Sequence, residues 1–398
     1  MDDPGSSRIH EDIKKALESN NQALADAKIQ EYLDQQNNIP LNIAVTGETG
    51  SGKSTFVNAF RGINNGDERA APTGPVETTS EATPYPHPNY PNVTLWDLPG
   101  IGTPNFPADN YLKLVGFERF DFFIIISDTR FRESDVKLAQ EIQRMKKKFY
   151  FVRSKIDSDL RNEEISQRSR FNAEMTLQQI RDNCIQGLQR QGVESPQAFL
   201  VSSFDLHLYD FPLLGDTFER ELPAHKKHAL LLAMPNISLE LIGKKKKAYQ
   251  SKIKYYAMLS AGVAAVPVPG LSAAVDVGVL LSVVTQYVNG FGLDIPSLRR
   301  LTDRRGVPFR DLINIIVSPL AATEITRDLL LKVLLRCAGT VALMAAEEVS
   351  RFISIFGIPA AMILSFTFIY RALNYFLDTL AEDAERVFKR VMGLDTSV

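Results

Sequence analysis

Short apolar runs recur at 41–46, 92–97, 121–127, 148–153 and 198–202, and stretches with helical spacing separate most of them. Brief runs rich in Val, Ile and Phe read as strands. Strands alternating with helices predict a mostly parallel sheet flanked by helices. Residues 8–36 differ. They are polar, with apolar positions at Ile13, Ala16, Leu17, Leu24, Ala27, Ile29 and Leu33, which predicts one or two amphipathic helices. Such helices cannot form a core alone and are expected to pack elsewhere. Asn37-Asn38-Ile39-Pro40 breaks the pattern. After Pro223 the strand signals stop and long helical, apolar stretches take over. The expected organisation is an N-terminal helical segment at 1–39, an α/β domain at 40–225 and an all-α domain at 226–398, with the first segment packing on the last. The interval 62–91 is rich in Gly, Pro, Thr and Asn and shows no apolar period. A loop that long is usually functional.

Composition narrows the class. The chain has 398 residues, 44% apolar and 23% charged, with net charge −2. These are values of a soluble globular protein of two or three domains, and they give no global case for nucleic acid. Cys184 and Cys337 lie far apart and read as reduced thiols in a cytoplasmic protein. The polar, acidic start is no secretory signal, and position 2 lacks the glycine that myristoylation needs. The run Lys244–Lys247 reads as a solvated helix face ahead of a basic docking patch. Residues 257–283 are interrupted by Pro267, Pro269 and Gly270, which predicts two packed helices joined by a tight turn. Residues 352–370 are uncharged but broken by Gly357 and Pro359. They read as core helix first, with reversible membrane contact as the alternative.

The chemistry begins at Gly47-Glu48-Thr49-Gly50-Ser51-Gly52-Lys53-Ser54, which fits G-x-x-x-x-G-K-[ST] between a strand and a helix that opens Ser54-Thr55. Glycines let backbone N–H groups turn toward phosphate oxygens, and the helix N-terminus favours their charge. Lys53 can reach the terminal phosphates, and Ser54 can ligate Mg²⁺. Asp97-Leu98-Pro99-Gly100 follows the strand Val93-Thr94-Leu95-Trp96. Asp97 there can hold Mg²⁺ through water, and the Gly100 N–H can meet a γ-phosphate. Ser154-Lys155-Ile156-Asp157 follows another strand. The Asp157 carboxylate can accept the N1–H and 2-amino hydrogens of guanine, a pair adenine does not offer. The Lys155 stem can cover the base. Ser154 departs from the usual [NT]-K-x-D but keeps a hydroxyl that can brace the loop. In Val201-Ser202-Ser203, backbone N–H groups could meet the guanine carbonyl. Thr73, Thr78, Thr79 or Thr83 could contact Mg²⁺ or the γ-phosphate, and spacing does not choose among them. Where small switch GTPases carry a glutamine to orient water, this chain has Ile101.

Gly47–Ser54, Ala71-Pro72-Thr73-Gly74-Pro75-Val76-Glu77-Thr78-Thr79, the run from Trp96 to Phe106 and the run from Phe149 to Asp159 together resemble the immunity-related, interferon-inducible p47 GTPases. Lys53 is similar to their GKS class. The resemblance is dense from about 40 to 230 and looser on both flanks. It implies an α/β P-loop GTPase domain joined to an all-α helical domain, and a dynamin-like enzyme that binds GTP or GDP with Mg²⁺. It further implies activation by pairing of G domains, with a second copy or a related GTPase. Glu77 would then reach nucleotide across the dimer, with Thr79 beside it. Cytoplasmic protein would associate reversibly with endomembranes or pathogen vacuoles in cell-autonomous immunity. The alternative is a nucleotide-gated membrane-binding module with slow hydrolysis.

Overall fold

The computed structural model describes residues 4–74, 79, 81–101, 111–129, 133–190, 192–193, 196–262, 266–267, 274–343 and 347–394. Two compact units divide the chain: Ile39–Ile237, and Met1–Asn38 together with Ser238–Val398. The division falls at 237/238, beyond the expected 225/226. The reason is the helix Ala224–Ala233, whose Ala229, Leu230, Leu232 and Ala233 are buried and which packs on the sheet.

The first unit is built on a sheet of β1 (Leu41–Thr46), β2 (Thr83–Pro86), β3 (Val93–Asp97), β4 (Phe122–Ser127), β5 (Lys148–Arg153) and β6 (Ala198–Leu200). Their order is β2-β3-β1-β4-β5-β6, and all pairs are parallel except β2 with β3. Every residue of β4 is buried, as expected of a strand covered on both faces. β2 was missed by the apolar pattern, and its residues explain why. Thr83-Pro84-Tyr85-Pro86 alternates prolines with residues that keep an N–H, which suits only an edge strand. The helix Phe211–Glu221 packs its rings on both sides: Phe211 meets Phe56 and Phe60, and Phe218 meets Phe122 and Tyr150.

β1 is flanked by β3 and β4, which leave the chain on opposite sides of it. Ligands of open α/β sheets gather at the carboxyl ends of strands near such a point. The segments after β1, β3, β4, β5 and β6 are the ones that carry the candidate chemistry.

In the second unit the helices Pro4–Glu18 and Gln22–Asn37 pack on C-terminal helices. Ile13, Ala16, Leu17, Ile29 and Leu33 are buried, but Leu24 is exposed and Ala25 takes its place inside. His10 meets Tyr255 at 2.9 Å and sets its ring edge-on to Phe356. Helices end at Gly262 and begin at Val277, with a short antiparallel pairing of Val266–Pro267 and Ala274–Val275 between them in place of the tight turn. The apolar stretch at 352–370 is divided as its Gly and Pro require: the helix Glu347–Phe356 stops, Gly357 takes φ +62°, and Ile363–Val391 begins after a short turn.

The lysine run is not one solvated face. Lys244 pairs with Glu240 and Lys246 with Asp378, while Lys245 is buried and donates to Gly290 O at 3.1 Å. Lys252, two helical turns further on, is also buried and donates to Asn37 Oδ1 at 2.6 Å. Burial pushes both ammonium groups down to about 7. Because their folded values lie below the unfolded one, the unfolded chain binds more protons between about pH 7 and 10, and stability rises with pH there. Burial pushes the phenols of Tyr111, Tyr150 and Tyr287 up, which opposes the gain above about pH 10. The urea midpoint is expected to climb between about pH 7 and 9, and Lys245→Met to flatten the climb. A wild-type midpoint that is level over this range contradicts the assignment.

Candidate functional site

The loop after β1 needs glycine in three places. Gly47, Gly50 and Gly52 have φ of +137°, +83° and +94°, a region other residues rarely adopt. At Gly47 a Cβ would also overlap the carbonyl of Ile126. Lys53 opens the helix Lys53–Phe60, lies 7% exposed, and donates from Nζ to Glu48 O at 2.8 Å. Thr55 is half-buried on the same turn. The Ser51 side chain is buried, and its Oγ has no hydrogen-bond partner among the described residues.

Ser54 Oγ donates to Asp97 Oδ2 at 2.5 Å, and Thr79 Oγ1 donates to the same oxygen at 3.2 Å. Asp97 is fully buried at the end of β3. Burial raises its carboxyl above the ordinary range, and Ser54, Lys53 and Thr79 oppose that rise. Its other oxygen, Oδ1, is buried with no hydrogen bond among the described residues. An anionic oxygen left this way is costly unless a cation or donor meets it, so Ser54, Thr79 and Asp97 suit a divalent ion. Among the described candidate threonines Thr79 is the one placed at Asp97. Thr83 lies in β2 and donates to Glu81 O, and Thr73 is exposed. Thr78 and Glu77 lie outside the described residues.

Gly100 lies against the phosphate loop: a Cβ there would come within 2.9 Å of Thr49 N and 3.1 Å of Thr49 Cα, and would overlap Thr49 Oγ1. Two further contacts hold this turn. Leu98 N–H donates to Val45 O at 3.0 Å, and Tyr111 OH donates to Pro99 O at 2.8 Å while it also meets Thr46 Oγ1 at 2.8 Å. Tyr111 was not legible in advance, since nothing in sequence links it to Thr46 or Pro99. Ile101 is 3% exposed and packs in a cluster with Ala44, Leu98, Tyr111, Phe123 and Ile125. Position 101 therefore faces the core.

The segment after β5 is fastened to the same loop. Ser154 Oγ donates to Ser51 O at 2.7 Å, which gives its hydroxyl a bracing contact. Lys155 adopts φ +57° and donates from Nζ to Gly50 O and to Asp128 Oδ2, both at 2.7 Å. Asp128 follows β4 directly. Its place at the end of a parallel strand is the signal in the sequence that points to it. Asp157 lies half-buried in the first turn of the helix Ile156–Gln167. Ser202 is fully buried just beyond β6, and its Oγ has no partner among the described residues. Ile156 N–H donates to Val201 O at 3.4 Å, which ties the segments of Asp157 and Ser202 together.

The segments bearing Gly47–Ser54, Asp97, Gly100, Ser154–Asp157 and Ser202 thus converge on one end of the sheet, which brings the candidate phosphate, cation and base residues to the ends of its strands. Comparison with known proteins agrees in kind. The bovine (Bos taurus) interferon-inducible GTPase 5 is 43% identical over 97% of this chain and 82% of its own length. The mouse (Mus musculus) interferon-gamma-inducible GTPase 10 is 39% identical over 97% and 88%, and mouse interferon-inducible GTPase 1 is 37% identical over 95% and 89%. Among solved structures, Aquifex aeolicus Era bound to GDP and aluminium fluoride is 19% identical over 55% of this chain and 66% of its own, with TM-score 0.33. The family described as interferon-inducible GTPase (IIGP) matches residues 6–391, and the chain belongs to that family, as a GTP-binding, GTP-hydrolysing enzyme.

Proposed function

We propose that this GTPase works on Mg²⁺-bound GTP, reads guanine with Asp157 and Ser202, and turns over fully only when a second GTPase domain completes its site. The observation that carries the reading is Ile101. The position that would orient water in small switch GTPases is apolar and packed into the core, so the aim of the water must come from elsewhere. Glu77, on the resemblance to the family, is the group a partner copy would meet. Ser54, Thr79 and Asp97 are the residues that would hold Mg²⁺, which when bound neutralises phosphate charge. Lys53 and the loop N–H groups hold the phosphates, and Gly100 reports on the terminal one.

The setting we propose is cell-autonomous immunity, with cytoplasmic protein recruited reversibly to endomembranes or to membranes around pathogens. Among the described residues no helix is long and apolar enough to cross a membrane, and contact is proposed through the helical unit, where Leu364 is 65% exposed at the start of the last helix. Light scattering should show mass growth with Mg²⁺ and GTP but not with GDP, and Glu77→Ala should abolish it. A monomer under both nucleotides is the opposite result.

A further inference from the structure

Asp210 stands directly before the helix Phe211–Glu221, followed by Phe211 and Pro212. That is where an aspartate ordinarily caps a helix by accepting an N–H from its first turn. Here no side-chain cap bond forms. The carboxylate turns back instead. Its Oδ2 accepts the Leu200 N–H at 2.9 Å, while the Asp210 N–H donates to Leu200 O at 2.9 Å. Arg181 grips the same carboxylate with both terminal nitrogens, Nη2 at 3.3 Å from Oδ1, and reaches Ala198 O at 3.4 Å. The loop from 201 to 209 is thereby closed at its base as a ring, with Leu200 bonded twice to one residue.

That ring carries Ser202. Inside it, Asp205 N–H donates to Ser202 O and Leu208 N–H to Asp205 O. Outside, Val201 N–H donates to Arg153 O at 2.8 Å and Val201 O accepts from Ile156, so the ring is docked beside Asp157. Tyr209 enters the clasp with φ +58°, a conformation that aromatic residues avoid. Its phenol is pushed up by burial and then by the Asp157 and Asp205 carboxylates, which sets Tyr209 in the field of the base-reading aspartate.

We propose that Asp210 and Arg181 are positioning residues for guanine selectivity: their clasp holds the 201–209 loop so that its backbone donors meet the guanine 6-carbonyl beside Asp157. The proposal rests on the reading that Asp157 and Ser202 face the base. It differs from a purely structural role in what it predicts, a change in discrimination at one atom of the base and not a uniform loss of nucleotide binding.

Two analogues separate the contacts. 6-Thio-GDP replaces only the carbonyl oxygen by sulfur, a weak acceptor, and IDP lacks only the 2-amino group read by Asp157. Wild-type protein is expected to prefer GDP over 6-thio-GDP by about fivefold, the worth of one neutral hydrogen bond. Asp210→Ala and Arg181→Met should bring that ratio near one while leaving the GDP-to-IDP ratio unchanged. Asp157→Asn should do the reverse. If Asp210→Ala does not fold, Asp210→Asn carries the test, since it keeps an oxygen for the Leu200 N–H and drops the charge. Clasp variants that weaken both nucleotides equally, or a wild-type ratio near one, overturn the proposal. An unchanged GDP-to-IDP ratio in Asp157→Asn overturns the base reading beneath it.

Discussion

Replacing Lys53 by alanine is expected to lower single-turnover GTP hydrolysis by about 10²–10³-fold, the effect of removing a preorganised charge from an oxyanion-type site. The side chain is 7% exposed, and it is one of the charges that oppose protonation of Asp97. Its Nζ sits over the loop, 2.8 Å from Glu48 O. Lys155 also reaches the loop, at Gly50 O, but it is anchored to Asp128. The fold should survive, because alanine at the first turn of the Lys53–Phe60 helix keeps good helix propensity. Far-ultraviolet circular dichroism should match wild type. Hydrolysis within about threefold of wild type would sink the phosphate-loop assignment.

Gly100→Ala should also damage turnover, but less than the loss of Lys53 and for a steric reason. Its Cβ would press on backbone atoms of Thr49, at 2.9 Å from N and 3.1 Å from Cα. Real Cβ atoms essentially never come within 2.9 Å of a neighbour, 3.1 Å is tighter than most of their contacts, and backbone cannot rotate away as a side-chain tip can. Removing the Thr49 hydroxyl therefore does not rescue the variant. The turn carrying Gly100 must move off the phosphate loop, against the bonds from Leu98 to Val45 and from Tyr111 to Pro99. The N–H proposed to sense the γ-phosphate moves with it. GDP affinity should stay within about threefold of wild type, while hydrolysis falls by about 10-fold or more. Equal loss of GDP and GTP affinity would point to general damage of the loop.

Much of the sheet could be read from the chain, because five of its six strands fall on short runs rich in apolar residues. The prolines that mark β2 as an edge strand also erased it from the pattern, so the interval 62–91 looked structureless. The phosphate-loop residues were legible because their chemistry is local. Thr79 could not be separated from Thr73, Thr78 and Thr83, since what selects it is the 3.2 Å contact with Asp97, a long-range fact. Lys245 misled in the other direction. Four consecutive lysines look solvated, yet a helix turns each to a different side, and one faces inward. Asp210 carries the same lesson, as its place before Phe-Pro reads as a cap while its bonds run to Leu200 and Arg181.

On the function proposed here, Gly47–Ser54 is one part of a site finished by a neighbouring copy. The most direct test is specific GTPase activity against protein concentration at saturating Mg²⁺ and GTP, over about a hundredfold range. Activity per molecule is expected to climb steeply with concentration and to stay flat in Glu77→Ala. A constant wild-type activity across that range contradicts it.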